Sequence, residues 1–364
     1  MDLSNLKRRL LRLGYPEQPR AERHGASGLA ASYEPGSPAT PAPVKDISSS
    51  GIYLVTEKRL RTGELITLTL QEDGERGTHA ENQISIHAKV ARQGQDGLGL
   101  SFVLPPGVDT LLWGVLVRNI VTLSQPAQIA HMFRTLRTVL FLCQLCQSDA
   151  HEAILLLDGQ LDHDRTENLL KIALATQGLL ASETDGDRMR CHPTLLATIL
   201  REGSWTTDET IRRLWVNLLV ASCSVEAPDN SNHALASLLI HISPPQARIF
   251  LYACERALSV APGVEIPPSG SIVLSPADLV EITDKSDATR NTTDVVYLFH
   301  LGLVQKEPNL TSFTQDDGID ITPTNLGLEL YKRCCGERRK LPQHLVTEAY
   351  THLRNFLPNY DAEA

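Results

Sequence analysis

The 364-residue sequence contains no G-x-S-x-G, Walker A or H-E-x-x-H motif. These patterns position a nucleophile, a phosphate cradle or a zinc ion in the common enzyme sites. No nucleophile is flanked by a recognisable base either. The sequence therefore predicts a protein that is not an enzyme and that has no catalytic residue, metal ligand or resident cofactor.

Long apolar runs and excess positive charge are missing as well. The richest apolar stretch, 139–143, is far too short to cross a bilayer, and the opening residues lack the apolar core of a signal peptide. A net charge of −9 argues against a nucleic-acid coat or an anionic-membrane binder. The seven cysteines are odd in number and scattered, which suits a reducing compartment. We expect a soluble cytoplasmic protein that does not bind a membrane.

The length and composition are typical of a globular protein with two or three domains, because 42% of the residues are hydrophobic and 21% are charged. Pro- and Gly-rich stretches and changes of pattern divide the chain. The predicted segments are a basic arm (1–19), a β-barrel (20–115), a helical domain (116–262), a winged-helix-like module (263–345) and a C-terminal helix or tail (346–364).

The first third of the chain, after a short amphipathic helix predicted over 1–14, has the pattern of strands and turns. Several runs alternate between apolar and polar residues with a period of two, as half-buried strands do. They are 52–56, 65–70, 83–93 and 98–104. Before them, 35–43 is rich in proline and predicts a loop. Short strands at this spacing indicate a small barrel.

A polar motif precedes the first of these strands. Asp46, Ser48 and Gly51 form a D-x-S-x-x-G run, which we interpret as a turn closed by a glycine that can adopt positive φ. Arg20 and Arg23 lie upstream. Arginine donates in a planar fork that suits phosphate oxygens and the acceptor edge of guanine, and a carboxylate accepts paired N–H donors. Together these groups could hold a guanine nucleotide.

From residue 20 to about 115 the chain resembles the PilZ domain, the bacterial receptor module for cyclic di-GMP. The resemblance rests on the arginine cluster, on DISSSG at 46–51 and on the segments 86–92 and 97–102. It implies a six-stranded antiparallel barrel. It also implies that an R-x-x-x-R arm wraps the ligand and that the D-x-S-x-x-G strand contacts guanine.

The ligand residues that this resemblance implies are Arg20, Arg23, Asp46, Ser48 and Gly51. The arm departs from the family pattern, because Arg20 and Arg23 stand three apart and the fourth position after Arg20 is His24. Neutral for much of the time at pH 7, histidine is a poor replacement for arginine. Asp46 and Ser48 could instead only cap a turn.

Beyond residue 106 the apolar period becomes helical. Helices are predicted over 108–123, 125–147, 164–177, 192–201, 208–224, 234–241 and 244–258. Two further helices (276–283 and 289–301), a strand at 304–307, a second strand at 319–321 and a helix after Pro323 follow the order of a winged helix. Residues 205–335 resemble the abortive-infection alpha family, which implies a role in phage defence.

For three other groups of residues we favour a common structural or docking role over a specialised binding site. Cys143 and Cys146 form a C-x-x-C inside an apolar helix, where buried core thiols are commoner than a zinc or redox site. The acidic run around Asp162 predicts a solvated helix cap rather than a metal site. The winged module contains more acidic than basic side chains, so docking to a protein is favoured over DNA binding.

The sequence thus predicts a cyclic di-GMP receptor whose helical region is the output. Its partners would be the nucleotide and a protein bound through the helical or winged region, and the pattern leaves a homodimer open. The alternative is a PilZ-like scaffold that binds no nucleotide and acts through protein contacts. A DNA-binding regulator switched by nucleotide is a third hypothesis.

Overall fold

We describe a computed structural model of the chain. The described residues are 23–26, 29–33, 41–48, 50–72, 83–104, 126–146, 156, 161–226, 229–260, 271–284, 288–308, 318–338 and 340–357. The chain divides into two compact units, Met1–Arg137 and Thr138–Ala364. The helices predicted over 1–14 and 108–123 lie outside the described residues.

The described residues of the first unit form seven β-strands. They are β1 (His24–Gly25), β2 (Leu29–Ser32), β3 (Ala42–Ser48), β4 (Gly51–Val55), β5 (Leu65–Glu72), β6 (Gln83–Gln93) and β7 (Gly97–Val103). The four strands predicted from alternation, β4 to β7, are confirmed to within one or two residues at each end. Alternation is clearest in β6, where one face is buried and Ile84, Ile86, Ala88 and Val90 all point inward.

These strands form one antiparallel sheet that closes on itself. Around the barrel the order is β2, β5, β6, β7, β4 and β3, and β3 then pairs with β2. The short β1 lies on the same edge of β3 as β2, since β1 pairs with residues 46–47 and β2 with residues 42–43. The barrel therefore has six strand positions, and the predicted six-stranded closed barrel is confirmed. Ile47, Ile52, Leu68 and Leu98 are fully buried and belong to its core.

The D-x-S-x-x-G motif differs from the sequence-based expectation. We predicted a loop through residue 43 followed by a turn, but Ala42–Ser48 is a strand, and the chain turns only between Ser48 and Gly51. Proline is tolerated at the start of a strand because it lacks only the N–H donor. Pro43 is the second residue of β3 and its side chain is exposed.

The reason for Gly51 also differs. We expected a positive φ, but the described glycines with positive φ are Gly63, Gly302 and Gly336. Gly51 instead lies where β4 approaches β7 most closely, and a Cβ on it would stand 2.1 Å from the backbone oxygen of Leu100. The motif glycine is therefore needed for close packing of two strands.

In the described part of the chain, ten α-helices follow the barrel. They are α1 (Pro126–Cys146), α2 (His163–Ala181), α3 (Pro193–Gly203), α4 (Glu209–Ala221), α5 (His233–Leu239), α6 (Pro244–Val260), α7 (Pro276–Thr283), α8 (Ala288–His300), α9 (Asn325–Cys334) and α10 (Gln343–Phe356). The predicted helical region is confirmed. None of the described helices is both long and apolar enough to span a bilayer.

Polar side chains mark the starts of several helices. Asp162 accepts a hydrogen bond from the backbone N–H of Arg165, so it caps α2 as predicted. Asp208 caps α4 by accepting from two backbone N–H groups. Ser275 and Asp278 form a capping box at α7, with Pro276 at the first helical position.

The second unit has an apolar core shared by many helices. Helix α4 packs against α2, α6 and α9, and α6 also packs against α7 and α8. Leu218, Leu219, Phe250 and Leu330 are fully buried in this core. Two polar contacts link distant segments, because Asn217 donates to the backbone oxygen of Cys334 at 2.7 Å and Arg338 forms a paired contact with Glu183. The predicted module boundary near residue 262 stays a prediction.

The segment from 271 to 334 contains helices at the predicted places. A two-stranded sheet joins β8 (Val273–Leu274) to β9 (Ile319–Asp320), which was predicted only in its second strand. The strand predicted over 304–307 is reduced to a single bridge between Val304 and Pro323.

Substitution of Gly51 by alanine tests the close approach of β4 and β7. We expect Gly51→Ala to lower the free energy of unfolding by about 1–3 kcal/mol, because the added methyl group meets backbone that cannot rotate away. Gly25→Ala is the matched control, since a Cβ there has no neighbour within 4 Å. Equal stability of the two variants in urea unfolding would contradict this explanation.

Candidate functional site

The short strand β1 carries an arginine to the D-x-S-x-x-G motif. His24 pairs with Ile47 and Gly25 pairs with Asp46 across the β1–β3 ladder. Arg23 comes directly before His24, and its guanidinium forms an ion pair with the carboxylate of Asp46. The structure therefore brings together one predicted arginine and the predicted acid. Their side chains are 39% and 27% exposed, so the pair is open to solvent.

A bulge in β3 turns two consecutive charged side chains outward. The register with β4 shifts between Val44 and Asp46, which leaves Lys45 as an extra residue. Lys45 is exposed and Asp46 is half-buried, while Val44 and Ile47 on either side are buried. This bulge places a cation beside the motif acid, and regular alternation would have sent one of them into the core.

The other predicted ligand residues are placed less directly. Arg20 lies outside the described residues. Ser48 is only 1% exposed, and its hydroxyl donates to the backbone oxygen of Gly51 at 3.2 Å and lies 3.2 Å from the hydroxyl of Ser50. In this conformation Ser48 therefore shapes the β3–β4 turn.

A row of paired residues crosses five strands on the outer face of the barrel. Gly25 on β1 pairs with Asp46, Asp46 with Tyr53 on β4, and Tyr53 with Gly99 on β7. The row ends on β6, where Arg92 pairs with Gly99. Directly paired residues share a face of the sheet, so these side chains all belong to the surface that carries Asp46.

Tyr53 and Asp96 organise the centre of this surface. The tyrosine hydroxyl donates to one carboxylate oxygen of Asp96 at 2.7 Å, and Lys45 donates to the other at 2.7 Å. These two hydrogen bonds lower the pKa of Asp96 to about 2. The same bonds raise the pKa of Lys45 and of Tyr53. Arg59 supports the turn that carries Asp96 by donating to the backbone oxygen of Gly94 at 2.7 Å.

Two cations lie against the ring of Tyr53. The Lys45 ammonium is 5.5 Å from the ring centroid, and the Arg92 guanidinium carbon is 5.8 Å from it. Both distances are within the range of a cation–π interaction. Sequence reasoning missed Lys45, Tyr53, Arg92 and Asp96, because their proximity depends on bulges and on barrel closure. The sequence offered only two signals, the glycine-bounded turn at 94–97 and the tyrosine in the strand predicted over 52–56.

The other candidate sites have structural roles. Cys143 and Cys146 are buried in α1, as predicted for core thiols, and burial raises the pKa of Cys143 to about 11. The described residues contain no group of three or more His, Cys, Asp or Glu side chains that could hold a metal ion. In the second unit, a cavity of about 570 Å³ lies at the end of α4 and is lined by residues that include Ser222, Asn232 and Arg338.

Comparison with known families bears on the barrel. The model of the PilZ domain matches residues 17–116. This segment is similar to a PilZ domain. The match agrees with the resemblance seen in the sequence, and its closed barrel and Asp46-bearing strand are those described above.

A second family matches the helical unit. The model described as "Abortive infection alpha" matches residues 165–334, which extends the resemblance seen in the sequence toward the N-terminus. The match runs from α2 to the end of α9.

Comparisons with individual proteins add little to these two matches. No curated protein matches the chain. Among solved structures, the crystal structure of the Legionella uncharacterized protein Lpg0364 is 14% identical and covers 32% of this chain and 90% of its own, with a TM-score of 0.17.

The lowered pKa of Asp96 predicts how its ion pair responds to acid. A carboxyl group whose pKa is lower in the folded state stabilises the fold at pH values above its unfolded-state pKa of 3.8. This contribution disappears as the pH falls through the folded-state pKa of about 2. The stability difference between the wild type and Asp96→Asn should therefore be constant above pH 4 and shrink toward pH 2. Urea unfolding at several pH values measures it, and a difference that persists unchanged at pH 2 contradicts the assignment.

Proposed function

We propose that the PilZ barrel is a receptor for cyclic di-GMP and that the helical unit is its output. The observation that carries the proposal is the contact between Arg23 and Asp46, because it places the arm and the motif acid at one surface. Asp46 would accept the N–H donors of guanine, and Arg23, with Arg20 upstream, would bind phosphate or guanine acceptors. Such a protein binds and signals, and it performs no catalysis.

The ligand must break the ion pair between Arg23 and Asp46 in order to bind. Solvent-exposed ion pairs contribute only about 0.2–1 kcal/mol. Hydrogen bonds to charged groups contribute about 1.5–3 kcal/mol each. A ligand that replaces Arg23 at Asp46 and then binds the released guanidinium gains more than it loses. The ligand shifts the arm only through this difference in affinity.

Closure of the arm would then place the guanidinium of Arg23 against the bound nucleotide. Ser48 supports the same surface by shaping the turn that follows Asp46, and Gly51 allows β4 to pack against β7. We propose that the closed arm changes what the helical unit binds. The inferred partner is a protein, and a second copy of this chain would also fit that description.

The C-terminal part of the helical unit fits a docking role. We propose a winged-helix-like module from the helices α7, α8 and α9 with the β8–β9 pair. The helix in the recognition position, α8, contains one arginine, Arg290, and one aspartate, Asp294, so it offers no strongly basic face for a phosphate backbone. Protein docking suits this surface better than DNA binding.

A second function is favoured by the state of the motif. Asp46 is already paired with Arg23 and the hydroxyl of Ser48 is buried, as expected of a barrel that has lost its ligand. The chain would then be a scaffold that acts through protein contacts. The match of residues 165–334 to the abortive-infection alpha family supports a role of that scaffold in phage defence.

Calorimetry with cyclic di-GMP separates the two proposals. A receptor should bind with a micromolar or lower Kd, and Asp46→Ala should abolish binding because the guanine donors lose their acceptor. Arg23→Ala should weaken binding tenfold or more, which corresponds to the loss of one charge-assisted hydrogen bond of about 1.5–3 kcal/mol.

Matched exposed variants control for charge. Glu57→Ala and Arg61→Ala remove one exposed acid and one exposed base that have no part in the proposed contacts, and both should bind like the wild type. If the folded wild type gives no heat, the receptor proposal fails and the scaffold stays.

DNA binding provides a further test of the docking role. The full chain should not retain a mixed-sequence DNA duplex in a native gel at low salt, because the net charge of −9 repels phosphate. Retention that weakens steeply as salt is raised would instead support a DNA-binding regulator.

A further inference from the structure

Arg92 is held on the same face of the barrel as the motif acid. It lies at the end of the paired row, and its guanidinium reaches across Gly99 to the ring of Tyr53. Tyr53 pairs directly with Asp46 on the next strand. Strand β4 lies between β7 and the strand of Asp46, and neighbouring strands are about 5 Å apart, so the arginine stem over Gly99 lies roughly two strand spacings from β3.

Two features of the sheet produce this position. The register between β6 and β7 shifts between Val90 and Arg92, so that Ala91, Arg92 and Gln93 are all exposed after the regular alternation of β6. Gly99 leaves the space that the arginine stem occupies, since a Cβ on Gly99 would stand 2.8 Å from Cγ and 3.1 Å from Nε of Arg92.

Arg92 differs from the neighbouring cations in having no hydrogen-bond or ion-pair partner among the described residues. Arg23 pairs with Asp46, Lys45 pairs with Asp96, and Arg59 donates to backbone oxygens of the 94–95 turn. Within the described part of the chain, Arg92 makes no hydrogen bond or ion pair, and its recorded interaction is with the Tyr53 ring. Its forked N–H donors are therefore available to an anion.

We propose that Arg92 is a phosphate-binding residue of the nucleotide site. This inference rests on the proposed function of the same surface. Arg23 approaches Asp46 from the β1 side of β3, and Arg92 approaches from the β4 side. Two guanidinium groups that flank one guanine acceptor match a nucleotide in which two phosphates flank a base, as in a cyclic dinucleotide.

The position of Arg92 also accounts for the incomplete arm. The resembled family uses two arginines four residues apart, and here the fourth position after Arg20 is His24. A cation supplied by β6 replaces the missing one without any change in the arm. Because the stem of Arg92 is already packed over Gly99 and Tyr53, less side-chain freedom is lost on binding than with a mobile arm.

Three variants test the proposal by calorimetry with cyclic di-GMP. Arg92→Ala should weaken binding tenfold or more. Arg92→Lys keeps the charge but loses the fork, so its affinity should be intermediate. Gly99→Ala keeps every charge and displaces the arginine stem, so it should weaken binding about as much as Arg92→Ala.

Lys89→Ala is the matched control, because Lys89 is an exposed cation on the same strand. It should bind like the wild type, and thermal unfolding should show that all variants are folded. Wild-type binding together with unchanged affinity of Arg92→Ala overturns this inference and leaves the receptor function intact. If the wild type itself does not bind, both fail.

Discussion

Two backbone pairs, His24 with Ile47 and Gly25 with Asp46, are the constraint on which the candidate site depends. They fix the end of the arm to the edge of β3, and Arg23 then needs only its own side chain to reach the motif acid. Strand β2 pairs with the same edge of β3 as β1 does and closes the barrel. The closed barrel therefore determines where along β3 the chain that carries Arg23 lies. An arm joined by a flexible linker would have no defined partner on the sheet.

The surface built on this constraint alternates in charge. Cations from the arm, β3 and β6 surround the two carboxylates of Asp46 and Asp96, and the ring of Tyr53 lies among them. Each contact is partly exposed and therefore individually weak. A set of weak contacts suits a receptor, since the ligand can exchange one for another without opening the core.

Much of the fold was predictable from the sequence, and the reasons for the exceptions are physical. Strand β6 and helices such as α2 and α4 have one clearly buried face, so their period reveals them, and the continuous apolar runs of β4 and α5 reveal elements that are buried on all sides. Strand β3 was missed because Pro41, Pro43 and the bulge at Lys45 interrupt its alternation.

The site was predictable only in part. The approach of Arg23 to Asp46 follows from a known pattern, whereas the approach of Arg92 depends on a second bulge and on Gly99 across the sheet. No local pattern encodes a contact that needs three strands in register.

The packing of Gly51 has a consequence for the way such domains are recognised. Its role is to let two backbones meet, so a relative could retain this glycine long after its surface had ceased to hold any nucleotide. A pattern search that scores the glycine equally with the acid thus treats a residue needed for strand packing as if it were a ligand-binding residue. The acid and the arginines around it are the better markers of a working receptor.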